Sequence, residues 1–70
     1  MFSLVRVDSK NYGFVVGQHA DRDAAERSRD RRVLRLTRRP QYQNAMGYFM
    51  YEIIDTGDHR YKVGTRIRTQ

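Results

Sequence analysis

The chain has no cysteine, so neither a disulfide framework nor a cysteine-ligated zinc site is available to staple its fold. It also lacks any apolar run near the roughly 20 residues that a membrane-spanning helix needs. The opening, MFSLVRVDSK, places Arg6 and Asp8 where a signal peptide would keep its apolar stretch, and a protein of the cytoplasm is the expectation. Histidine is scarce. Neither His19 nor His59 stands at metal-ligand spacing with the other or with a pair of carboxylates, so no metal and no cofactor are expected. With 70 residues the chain makes one domain, 1–70, and a domain of this size buries only about 60% of the surface that its unfolded form exposes. Its core must be small, and its stability is either marginal or shared with a partner.

Arginine is abundant. Twelve of the fourteen basic residues are arginine, a planar donor suited to carboxylates and phosphates. Residues 28–39 read SRDRRVLRLTRR, and their six arginines and one aspartate carry +5 of the formal charge of +6. Basicity this local is the pattern of an electrostatic contact site.

Along the chain, FSLVRV is rich in β-formers, DSKNYG supplies turn residues and FVVG resumes the apolar run, which predicts a β-hairpin over about residues 2–18. Ser3, Val5 and Val7 fall on one face of its first strand and Phe2, Leu4 and Arg6 on the other. Neither face is cleanly polar, so this strand is either central in the sheet or covered. It is also attractive as an edge that recruits a partner strand. Asp23, three residues before Glu26, resembles a capping box and predicts a short helix from about 22 to 31, lined by Ala24, Ala25 and Ser28. VLRLT then reads as a strand that ends before Pro40, followed by an exposed loop over 38–47.

From Tyr48, YFMYEII is dense in aromatic and β-branched residues, DTGDHR reads as a turn and YKVGTRIR as a returning strand, which predicts a second hairpin. In that last strand Tyr61, Val63, Thr65 and Ile67 alternate with Lys62, Gly64, Arg66 and Arg68, giving a core face and a basic face. A helix behind Pro40 competes over 40–54, because Tyr42, Met46, Phe49, Met50 and Ile53 also fall at helical spacing; the Tyr, Phe and Ile content favours strand. The expected fold is α+β: a small, mostly antiparallel sheet of four or five strands, built from two hairpins, with one short helix on it.

A core this small leaves little volume for a water-excluding catalytic pocket, and a non-enzymatic protein is expected. The one catalytic arrangement to weigh is His59, Arg60 and Tyr61, since small ribonuclease toxins use these residue types to move protons and stabilise a pentavalent phosphate. Asp55 and Asp58 flank Gly57 as turn chemistry requires and lack the further oxygen ligands of a calcium loop. Tyr12, Tyr42, Tyr48 and Tyr51 are candidate platforms for stacking bases, yet none is interleaved in sequence with the arginines of 29–39. Within SRDRRVLRLTRR, Arg29, Arg31 and Arg32 finish a helix, where positive charge suits the dipole. Arg35, Arg38 and Arg39 leave a strand for a loop and are the candidates for polyanion contact.

The short length, the hairpin-and-helix plan, the arginine-rich middle and the opening MFSLVRVDSKNYG together resemble the short host-takeover proteins that bacteriophages express. The resemblance implies a regulator in the host bacterial cytoplasm, monomeric before it binds. Its implied partner is host RNA polymerase near the RNA exit channel, where it would inhibit initiation by displacing the promoter-specificity factor and promote antitermination during elongation. Val5, Arg6, Val7 and Ser9 are the partner-binding residues implied. Other classes fit the sequence: a free-standing nucleic-acid-binding module, an inhibitor of another host complex such as a defence system, or a ribonuclease toxin.

Overall fold

The computed structural model describes residues 1–37 and 50–69, the side chains of residues 36 and 37 excepted. In chain order its elements are β1 (Phe2–Val7), β2 (Tyr12–His19), α1 (Arg22–Thr37), β3 (Tyr51–Asp55) and β4 (Arg66–Arg68). The four strands form one antiparallel sheet in the order β3-β1-β2-β4, and α1 packs on it, so the α+β class holds.

The first hairpin forms as its composition requires. β1 and β2 pair from Phe2 opposite His19 to Val7 opposite Gly13, and the backbone N–H groups of Asp8 and Ser9 both donate to the Tyr12 carbonyl to close the turn. β1 has a hydrogen-bonded neighbour on each side, and Ser3, Leu4 and Val5 are all fully buried. That is the consequence of a strand with no polar face: it takes the interior of the sheet, not an edge open to a partner strand.

Two expectations are corrected. β3 and β4 do not form a hairpin; β3 pairs with β1, from Phe2 opposite Asp55 to Arg6 opposite Tyr51, whereas β4 pairs with β2 on the far side. The DTGD turn does form, with Asp55 Oδ1 accepting from the Gly57 N–H at 2.9 Å and Gly57 at a φ of +62°. It serves, however, to hold the start of β1: the Thr56 N–H donates to the Met1 carbonyl at 3.0 Å and the Met1 ammonium donates to the Gly57 carbonyl at 2.8 Å. The chain then crosses to the opposite edge. Regular alternation survives there only over Arg66–Arg68. Before it the Gly64 N–H donates to the Val15 carbonyl and the Val15 N–H to the Thr65 carbonyl, but Gly64 sits at a φ of +95° and Val63 is 62% exposed rather than in the core.

The second correction concerns VLRLT, which is not a strand. Helix α1 continues through Thr37, because arginine and leucine are good helix formers and an uninterrupted run outweighs the short β-like alternation. Ala25 and Val33, eight residues apart and so two turns along one stripe, are buried, while Leu34 is 57% exposed. The helix cap is Asp21, whose Oδ1 accepts from the Ala24 N–H at 2.8 Å, and not Asp23, which lies in the first turn. Of the competing readings for 40–54, residues 51–55 are strand and Met50 lies in a turn. The rest of that segment, with the whole of the 38–47 loop reading, lies outside the described residues.

The helix-facing core joins Leu4, Val33 and Tyr51, with Val16, Met50 and Ile53 packed against them. Complete burial of a side chain such as Leu4 contributes about 2 kcal/mol. Val5 and Val15, paired across β1 and β2, fill the other face. Between Leu4 and Val5 the register shifts and leaves Val16 as an extra residue on β2, a bulge that adds to the curl of the sheet. Gly13 permits a close approach: a Cβ there would lie 2.6 Å from both the Arg6 carbonyl oxygen and Val5 Cγ1.

Candidate binding face

Paired residues of an antiparallel ladder share a face. Tyr51 opposes Arg6, Arg6 opposes Phe14, and Phe14 opposes Arg66, so one row of alternating rings and guanidinium-bearing side chains crosses all four strands, which lie about 4.8 Å apart. Tyr12, two residues before Phe14 and so on the same face, opposes Arg68 in the adjacent row. The helix covers this face only in part. Tyr51 is 8% exposed beneath it, in the cluster with Val33, whereas Tyr12 and Phe14 are each 42% exposed.

The open part is built around Arg66. Its Nε donates to Asp8 Oδ2 at 3.1 Å, and its guanidinium carbon sits 4.8 Å from the centroid of the Tyr12 ring. The two contacts hold the cation in place, though an exposed ion pair of this kind contributes at most about 1 kcal/mol. A shallow depression of about 340 Å³ lies alongside, lined by Arg6, Val7, Asp8, Phe14 and Met50. Arg6, Arg66 and Arg68 are exposed, and Asp8 is already engaged by Arg66.

The residues singled out in the sequence fall in different places. Val5 is fully buried in the core and offers nothing to a partner, which corrects its assignment to a binding strand. Val7 is half-buried, and Arg6 and Ser9 are exposed at the same end of β1. Arg35 is exposed on α1 rather than leaving a strand, and Arg38 and Arg39 lie outside the described residues. Arg32, half-buried, turns inward and donates from Nη2 to the Val16 carbonyl at 3.3 Å, so it ties the helix to the bulge. Arg29 pairs with Asp30 at 3.2 Å. Of the candidate platforms, Tyr51 is buried, Tyr12 is open, and Tyr42 and Tyr48 lie outside the described residues.

His59 and Arg60 are exposed, and the His59 ring meets Tyr61 edge-on at 4.2 Å. His19 is half-buried with Nε2 lacking a hydrogen-bond partner, and the described residues hold no cluster of three His, Cys, Asp or Glu that fits a metal ion. No helix among the described residues is long and apolar enough to cross a membrane.

Phe14, Arg66 and Arg68 are the residues of this face that sequence reasoning passed over as candidates. The signal was present in the basic alternation of the last strand. What was missing was its neighbour, because β4 lies beside the aromatic strand β2 and not beside β3. Compared with protein-family models, curated proteins and solved structures, the chain matches none of them.

Proposed function

We propose that the chain is a non-enzymatic regulator that docks on a large macromolecular assembly, with bacterial RNA polymerase as the partner and inhibition of initiation and promotion of antitermination as the outcome. The polymerase enters through the resemblance to phage host-takeover proteins. The observation that supports a docking protein is the open sheet face: two half-exposed rings, Tyr12 and Phe14, flanked by Arg6, Arg66 and Arg68. Exposed rings forgo burial in a domain that has little core to spare, and tyrosine and arginine are the residues on which interfaces concentrate their energy.

The test is capture from bacterial lysate by carboxy-terminally tagged protein, followed by transcription from a promoter template bearing a terminator. Retained polymerase subunits, fewer initiated transcripts and greater read-through are the expected results, with capture weakened by Arg6→Glu and Arg68→Glu. Folded protein that retains no polymerase subunits refutes the reading.

A further inference from the structure

We infer that the open face of the sheet is a platform for single-stranded nucleic acid. The inference rests on the same face as the proposed function but not on polymerase as the partner.

Phe14 stands in its row between Arg6 on one side and Arg66 on the other, so its exposed ring is bracketed by two cations. A base stacked on that ring brings its phosphates beside guanidinium groups, which is the combination that single-strand binders use. Tyr12 stands two residues away on the same strand, about 7 Å along it, within the span of neighbouring nucleotides in an extended chain. Its ring already carries the Arg66 guanidinium. A guanidinium can itself stack on an unpaired base, and the contacts to Asp8 and Tyr12 hold Arg66 in place beside the ring in advance. The face thus offers two supports in succession, the Phe14 ring and the Arg66–Tyr12 pair, with Arg68 opposite Tyr12 for the backbone.

Charge selects the same occupant. Three arginines meet one carboxylate here, and that carboxylate is taken by Arg66. Duplex hides its base faces and leaves the rings unused, so single strands bind in preference. An acidic peptide would satisfy the arginines but has no flat group for the ring of Phe14.

The experiment is fluorescence anisotropy with labelled oligo-U and oligo-dT of about ten nucleotides, a length within the usual footprint of a small sheet domain, beside a duplex of equal length. Single strands are expected to bind more tightly than duplex. With Arg6 and Arg68 engaged on phosphates, affinity falls by about 7-fold between about 50 and 200 mM salt. Phe14→Ala weakens binding about tenfold, Phe14→Tyr restores it, and Arg68→Gln flattens the salt dependence. Phe14 is half-exposed, and circular dichroism verifies that the variants fold. Preference for oligo-U over oligo-dT identifies RNA, and the reverse identifies DNA; either supports the inference. Equal affinity for duplex, no binding at low salt, or Phe14→Ala and Tyr12→Ala proteins that bind like the parent overturn it. Polymerase capture that is lost in Phe14→Ala, with no oligonucleotide bound, overturns this inference while leaving the proposed function standing; oligonucleotide binding without polymerase capture does the opposite.

Discussion

Gly13→Ala is the most demanding test of the packing that supports the candidate face. The added Cβ would meet the Arg6 carbonyl oxygen and Val5 Cγ1, both at 2.6 Å, closer than real Cβ contacts come. The valine methyl can shift slightly, but the carbonyl belongs to the central strand and is fixed by pairing on both sides. Overpacking of this kind costs about 3 kcal/mol. A domain of this length has about 4 to 10 kcal/mol in total, so the melting temperature falls by about 12 to 24 °C. Val5→Ala, which removes two buried methyl groups, costs about 2 kcal/mol by itself. Combined with Gly13→Ala it relieves the side-chain half of the clash, so the double variant is more stable than additivity requires by about 1 kcal/mol. Thermal and urea melts of the four proteins give the cycle. The new Cβ lies on the Val5 face, opposite Phe14 and Tyr12, so the folded fraction retains the parent's affinity for partners. A melting temperature within about 2 °C of the parent refutes the close approach of β1 and β2, and complete rescue by Val5→Ala refutes the role given to the Arg6 carbonyl.

Two further predictions separate the corrected elements from the expected ones. Val33→Ala costs about 2 kcal/mol in urea denaturation, whereas Leu34→Ala stays within about 0.5 kcal/mol, because of these two neighbours on α1 Val33 is buried and Leu34 exposed; equal losses at both positions contradict the helix. Expression of the protein in bacteria leaves cellular RNA intact, and His59→Ala changes nothing in that assay, since the His59 side chain is exposed and its ring packs edge-on against Tyr61; RNA cleavage that disappears in His59→Ala refutes the non-enzymatic reading.

The first hairpin was legible because its signals are local: β-branched runs on either side of DSKNYG, with the turn residues at the right offset. The absence of a polar face in FSLVRV pointed to a central or covered strand, but the same strand was also attractive as an edge, and only its pairing with both β2 and β3 decides for the interior. Strand order was not. Whether YKVGTRIR folds back on YEIID or crosses to β2 is decided by pairings between residues some fifty positions apart, as Tyr12 with Arg68, and no local pattern encodes them. VLRLT misled for a related reason: five residues of alternation weigh less than the eleven preceding helical positions without a breaker, and an exposed Leu34 imitates a buried one in a pattern read without its surroundings. The basic half of the candidate face was visible as alternation, and the aromatic half as Tyr12. Only the sheet order brings them together.

A surface bearing open aromatic rings on a sheet is ordinarily a hazard, since it invites copies of the same chain to stack. Here the three arginines around Tyr12 and Phe14 act as gatekeepers, because a second copy would bring like charge to like charge. The most apolar strand, β1, is enclosed between two neighbours and has no free edge on which an aggregate can grow. The face therefore turns like charge toward a second copy of itself, which disfavours ring-to-ring stacking between copies.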